Sequence, residues 1–183
     1  AAAFCSGSCF AYLGGAPFVG TEVFGMGPSE LGFYFGAPAI GYFLGNFLSG
    51  RYATTFGVNR MVLWGCIANA MGTFASLAIF VIGLGSPLSF FGMMVFVGLG
   101  NGLVIPNATA GMLSVRPHLA GTASGLGGAI MIGGGAALSA LAGLLLTPET
   151  GAFPLVGIMC ATGVCAMLAI GAVYRRERRL ALA

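Results

Sequence analysis

The sequence has no lysine and no aspartate, and charged residues make up only 6% of it. A soluble domain carries about 25% charged residues, so a chain with this few cannot cover a water-facing surface. Its 183 residues are 58% hydrophobic, with a mean hydropathy of +1.00. These values predict an integral membrane protein. The small net charge of +3 gives no sign of a nucleic-acid partner, and we expect none.

Histidine is nearly absent too, which argues against catalysis and metal binding. The single histidine, His118, lies in a predicted loop six residues before Ser124, with no acidic residue nearby to complete a catalytic triad. All five cysteines lie in apolar runs, where thiols behave as small hydrophobic groups. A zinc site needs three or four ligands, and no phosphate-binding loop occurs. We therefore expect neither an enzyme nor a metal or cofactor site.

Six apolar runs are long enough to cross a bilayer, because about 20 helical residues span a hydrocarbon core of about 30 Å. The runs cover residues 2–20, 31–50, 61–83, 88–113, 121–146 and 152–174. No alternating strand pattern appears, and a membrane admits only helices or closed barrels. The sequence therefore predicts an all-α integral membrane fold of six transmembrane helices, followed by a basic tail over residues 175–183.

The charged residues divide between the two sides of this predicted bundle. The side reached after the even-numbered runs holds all the arginines: Arg51, Arg60, Arg116, Arg175, Arg176, Arg178 and Arg179. The other side holds Glu22, Glu30 and Glu149. Because basic residues stay on the cytoplasmic side, we expect the C-terminus in the cytoplasm. The chain starts with alanine inside an apolar run, so we expect a fragment whose upstream part is missing.

The fourth run combines polar residues with a helix breaker. Pro106 has no N–H, and its ring clashes with the carbonyl four residues back, that of Gly102. Asn101 and Asn107 flank this pair. We predict a helix bend at Gly102 and Pro106, with both asparagines and Tyr12 of the first run facing a substrate cavity. The alternative is a kinked helix whose asparagines only bond to neighbouring helices.

Glycines four residues apart allow helices to approach closely in lipid. The second run contains two such pairs, Gly32 with Gly36 and Gly41 with Gly45. The fifth run carries a ridge of Gly121, Gly125 and Gly128, for which we predict helix packing.

Four strings of the sequence resemble a known family. They are APFV at 16–19, the loop residues Gly50, Arg51, Phe56, Gly57 and Arg60, GLVIPNAT at 102–109, and AGTASGL at 120–126. Together they resemble the C-terminal half of a major facilitator superfamily transporter of the Bcr/CflA drug-resistance type. The usual acidic residue of the family's cytoplasmic loop motif is replaced here by Gly50.

The resemblance implies one half of a twelve-helix fold, with the six runs as helices seven to twelve. It implies proton-coupled antiport of drugs or amphipathic small molecules out of a bacterium through its inner membrane. The partners would be the lipid bilayer, the substrate, protons and the missing N-terminal six-helix half. The first and fourth runs would face the cavity, the second and fifth the other half, and the third and sixth the lipid. The alternatives are an uptake carrier for a metabolite and a non-transporting structural remnant.

Overall fold

The computed structural model describes residues 1–115 and 117–181, and its regular secondary structure is helical. The helices are α1 (Ala2–Phe18), α2 (Pro28–Phe35), α3 (Ala37–Phe56), α4 (Val58–Val81), α5 (Pro87–Val115), α6 (Ala120–Leu145) and α7 (Phe153–Ala181). No strand occurs among the described residues, which confirms the predicted all-helical fold. Arg116, one of the arginines behind the predicted orientation, lies outside those residues.

Within the described residues, five helical stretches are long and apolar enough to cross a membrane. They are Ala2–Val23, Val58–Val81, Pro87–Val115, Pro117–Leu145 and Phe153–Leu180. The second predicted run differs, because it forms α2 and α3 with a break at Gly36. Pro38 has no N–H that could bond the carbonyl of Tyr34, four residues back. The N–H of Ala39 bonds the carbonyl of Gly36 at 2.9 Å instead of the carbonyl of Phe35. The count of six membrane crossings therefore stays a prediction.

The end of α1 is wider than an ordinary helix. A π-helical segment, Val19–Val23, continues α1, and the Phe24 N–H bonds the carbonyl of Val19 at 3.1 Å. Pro17 lies inside the helix just before this segment, where it removes one backbone donor. The first helical stretch thus runs to Val23 rather than to residue 20, and it carries Glu22 on its exposed last turn.

Glycines allow α3 and α5 to cross almost in backbone contact. A Cβ placed on Gly41 would lie 1.8 Å from the carbonyl oxygen of Val95, and one on Gly102 would lie 2.5 Å from that of Tyr42. Gly45 packs against the Cα of Gly102 in the same way. This is the close approach that the pair Gly41 and Gly45 predicts.

The predicted packing ridge of α6 meets no other helix of the described chain, so its packing role stays a prediction. A Cβ on Gly121, Gly125 or Gly128 would meet no atom within 4 Å among the described residues. α6 instead packs on α1 further along, where Gly135 lies against Phe10 and Ser139 against Gly14. The three glycines therefore support no packing within the described chain, because α6 turns that part of its surface away from the other helices.

The arginines gather at one end of the bundle, which we call the arginine end. The described arginines there are Arg51, Arg60, Arg175, Arg176, Arg178 and Arg179. Asn59 at the start of α4 donates a hydrogen bond to Glu177 near the end of α7. Phe56 at the end of α3 packs edge-on against Trp64 of α4, with ring centroids 5.0 Å apart. These contacts bring the arginine-bearing segments of three helices to the same end.

The other three glutamates lie at the opposite end. Val19 and Leu146 pack in one hydrophobic cluster. Glu22 lies three residues after Val19, and Glu149 lies three residues after Leu146, so both glutamates are near this cluster. Glu30 lies in the first turn of α2, whose Leu31 borders the same cluster. The separation of charges seen along the sequence is therefore also a separation in space.

Candidate functional site

A cavity of about 460 Å³ opens between α1, the α2–α3 junction and α5. Its lining consists of aromatic, aliphatic and uncharged polar residues, and no charged side chain among the described residues lines it. The residues that line it include Cys9, Phe10, Tyr12 and Leu13 of α1, Phe35, Pro38 and Tyr42 of α2 and α3, and Gly98, Asn101 and Ile105 of α5. Pockets of this size suit small organic ligands that are largely apolar.

Tyr12 connects α1 to the break between α2 and α3. In a continuous helix the carbonyl of Phe35 would accept from Ala39, but that N–H bonds Gly36. The Tyr12 hydroxyl donates to the free Phe35 carbonyl at 2.9 Å, and the two rings stack with centroids 5.3 Å apart. The ring of Phe91 packs edge-on against that of Tyr12, with centroids 6.3 Å apart. The helix break thus positions one aromatic wall of the cavity.

Asn101 contributes an unsatisfied acceptor to the cavity wall. Its side chain is only 2% exposed, and its Nδ2 donates to the carbonyl of Val97 at 3.0 Å. Its Oδ1 is buried and has no hydrogen-bond partner among the described residues. A buried acceptor without a donor costs about 1–3 kcal/mol. An N–H or O–H group of a bound ligand that reached this oxygen would remove that cost.

Asn107 lies elsewhere. It is not among the residues that line the cavity. Its Nδ2 donates to Ser49 Oγ of α3 at 2.6 Å and to the carbonyl of Leu103 at 2.8 Å. It follows Asn101 by six positions, which places the two side chains about 120° apart around the helix. The structure therefore brings Tyr12 and Asn101 together at the cavity and places Asn107 in the contact between α3 and α5.

The predicted bend residues lie within an unbroken helix. α5 runs from Pro87 to Val115 with Pro106 inside it. Gly102 faces α3, where the space beside it is filled by backbone of Tyr42 and Gly45. The need for glycine at this position is therefore close packing, and bending at Gly102 and Pro106 stays a prediction.

The predicted loop motif is a tight connection between two helices. Gly57 alone joins α3 to α4, and its φ of +85° is a conformation that other residues rarely adopt. Arg51 lies near the end of α3 and Arg60 in the first turn of α4, both exposed.

Two features of the site were not found from the sequence. The α2–α3 break, which frees the Phe35 carbonyl for Tyr12, had a signal in the string Gly36-Ala-Pro38. The aromatic wall behind Tyr12, formed with Phe91, had none, because aromatic residues are spread over most of the runs. The spatial neighbours of an aromatic residue in such a chain depend on helix packing.

A nearly uncharged helical bundle with a neutral cavity between its helices has the architecture of a membrane transporter. The sequence profile of the Major Facilitator Superfamily matches residues 1–182, and the chain belongs to that family. Membership of a transporter family points away from an enzyme.

Two curated relatives are similar to the chain over most of its length. The Uncharacterized MFS-type transporter YdgK of Bacillus subtilis is 28% identical, over 91% of this chain and 40% of its own. The Bicyclomycin resistance protein homolog of Haemophilus influenzae is 26% identical, over 95% of this chain and 42% of its own. The chain thus spans about two fifths of the length of these relatives. No solved structure matches it significantly.

Proposed function

We propose that the chain is part of a secondary active transporter that exports drugs or amphipathic small molecules in exchange for protons across a bacterial inner membrane. The observation that carries the proposal is the neutral, aromatic cavity that holds Tyr12 and Asn101. The family supports transport, and the resistance named in one relative supports export of a drug-like compound. The strings of the Bcr/CflA type support the same assignment.

The cavity chemistry favours an uncharged or amphipathic substrate. Tyr12, Phe35 and Tyr42 offer aromatic surface, and the described lining supplies no counter-ion for a permanent charge. Asn101 Oδ1 offers an acceptor for a single donor group. A substrate with an aromatic body and one N–H or O–H group would fit this combination.

The proton-coupling group is proposed to lie in the other half of the transporter. Proton relays in membrane proteins use ionisable groups buried in the spans. The four glutamates of this chain lie near the two ends of the bundle, and all are exposed. The relatives extend well beyond the matched region, where a second six-helix half would supply such a group.

The arrangement that we propose in the membrane is the one that the family resemblance implies, and the placement of the arginines sets its orientation. α1 and α5 face the central cavity, and α3 and α6 face the other half, with Gly121, Gly125 and Gly128 at that contact. α2 and α3 together make the second crossing, α4 and α7 face lipid, and the bundle spans residues 1–174. The arginine end, with Arg51, Gly57 and Arg60, lies in the cytoplasm because basic loops stay there.

The function is tested by transport in membrane vesicles. Inside-out vesicles that contain the intact protein are expected to accumulate a fluorescent amphipathic dye when a proton gradient is imposed. A protonophore should lower the initial rate at least about tenfold. An initial rate of dye accumulation that the protonophore does not change would refute proton coupling. Net movement in the opposite direction would indicate an uptake carrier, and no movement of any dye would indicate a structural remnant.

The two asparagines are predicted to respond differently to replacement by leucine. Asn101→Leu removes the cavity acceptor, so we expect the dye transport rate to fall about tenfold, the equivalent of one hydrogen bond of about 1.4 kcal/mol. Asn107→Leu leaves Ser49 without its donor, so we expect a lower midpoint temperature of unfolding. Transport rate per folded molecule and thermal unfolding check both. If the Asn101→Leu variant transported the dye at the parental rate, Asn101 would not be part of the substrate site.

A further inference from the structure

We propose that the last turns of α7 form a binding surface for the headgroups of anionic phospholipids. The surface consists of Arg175, Arg176, Arg178 and Arg179, all exposed. It goes beyond the proposed transport function, since it requires only that the bundle lies in a bilayer. Three observations carry it: the length of α7, the arrangement of the arginines around the helix, and the contact that sets the rotation of the helix.

α7 is longer than a bilayer core. Its 29 residues make a helix of about 43 Å, whereas the hydrocarbon layer is about 30 Å thick. The helix stays packed on the bundle through Ile170, a buried member of the hydrophobic cluster at the arginine end, and through Tyr174, which packs against that cluster. The turns after Tyr174 therefore continue in helical form at the depth of the lipid headgroups.

The arginines lie on one side of these turns and the glutamate lies on the other. Successive helical residues are about 100° apart. Relative to Arg175, this places Arg178, Arg179 and Arg176 at about −60°, +40° and +100°. The four arginines thus occupy an arc of about 160°, and Glu177 lies directly opposite its centre. One face of the helix is purely basic.

The contact between Asn59 and Glu177 determines where that face points. Asn59 Nδ2 donates to Glu177 Oε1, so the glutamate side of α7 faces the start of α4. Val173 and Ile170, four and seven residues before Glu177, share its side of the helix. Both line a second cavity, of about 680 Å³, together with Asn59. The glutamate side is therefore the inner side, and the arginine arc points away from the bundle.

An anionic lipid headgroup is the partner that this position and charge select. The only acidic residue at the arginine end, among the described residues, is Glu177, and it faces inward. Exposed Trp64 and Tyr52 at the same end are of the type that concentrates at membrane interfaces. An arginine fork binds a phosphate group through two parallel hydrogen bonds. The arc thus presents phosphate-binding groups at the level where lipid phosphates lie.

The test compares lipid binding to variants of equal charge. The intact protein, delipidated in a zwitterionic detergent, is titrated with phosphatidylglycerol or phosphatidylcholine, and bound lipid is counted by native mass spectrometry. Arg175→Gln with Arg179→Gln is expected to weaken phosphatidylglycerol binding about 25-fold, from about fivefold per arginine. The control, Arg51→Gln with Arg60→Gln, removes the same charge at the same end and should change binding less than about threefold, since neither residue belongs to the arginine arc and charges outside it act on a bound headgroup only through screened solvent.

The parental protein provides a second comparison that needs no variant. We expect it to retain phosphatidylglycerol over phosphatidylcholine and to lose that preference in 1 M salt, where the screening length falls to about 3 Å. Equal retention of the two lipids would overturn the proposal, and so would equal losses in the two double variants. Phosphate that displaced the lipid more strongly than chloride at equal ionic strength would overturn it in favour of a free-anion site.

Discussion

Replacing Gly41 by alanine is expected to destabilise the bundle by about 3 kcal/mol, at the upper end of the usual effect of overpacking. The added methyl group would lie 1.8 Å from the Val95 carbonyl oxygen and 2.7 Å from the Leu99 nitrogen. Both atoms belong to the backbone of α5, so no side-chain rotation can make room. α3 and α5 would have to separate, which also weakens the Asn107–Ser49 hydrogen bond between them.

Gly32 provides a matched control within the same predicted run. A methyl group there would meet no atom within 4 Å. Alanine is a better helix former than glycine by about 1 kcal/mol, so Gly32→Ala should leave stability unchanged or raise it slightly. The midpoint of thermal unfolding of the intact protein checks both variants. If both shifted the midpoint in the same direction, the close crossing of α3 and α5 would be refuted.

Tyr12→Ala is expected to have a still larger effect, on stability and transport together. The side chain is 1% exposed, and removal of a buried aromatic ring costs about 3–5 kcal/mol. The change also leaves the Phe35 carbonyl without a donor and removes the ring that stacks on Phe35. The wall that connects α1 to the α2–α3 break would be lost, and transport should fall with it.

Two milder variants separate the contributions of Tyr12. Tyr12→Phe keeps the ring and loses only the hydrogen bond, so we expect about 1–3 kcal/mol of destabilisation. Tyr42→Ala removes a tyrosine from the same cavity, but its side chain is 44% exposed, so stability should change by less than about 1 kcal/mol. Thermal unfolding and dye efflux rates check the series. A Tyr42→Ala variant as unstable as Tyr12→Ala would contradict the assigned role of Tyr12.

Part of the candidate site could be predicted from the sequence because single residues carried the signal. Asn101 is conspicuous in an apolar helix, and Tyr12 is a polar aromatic residue in another. Asn107 looked equivalent to Asn101, but the two lie about 120° apart on α5, so they cannot line the same wall. Helical periodicity gives that angle, but it does not tell which of the two faces the cavity. The α3 contact with Ser49 decides this.

The glycines show the same division between spacing and contact. The pair Gly41 and Gly45 and the ridge of Gly121, Gly125 and Gly128 have similar spacing along their helices. Only the first has a backbone packed against it within the described chain. Spacing determines which side chains share a helix face, whereas the partner of that face depends on how the helices are arranged.

The sequence by itself determined the helical membrane fold, the transporter family and the separation of arginines from most glutamates. These properties follow from how individual residues partition between water and lipid and from local strings, so they need no knowledge of contacts. The tertiary structure decided the break at Gly36, the Tyr12–Phe35 bond, the position of Asn107 and the outward direction of the α7 arginines. Each depends on residues far apart in the chain or on the rotation of one helix against another, which hydropathy and spacing leave open.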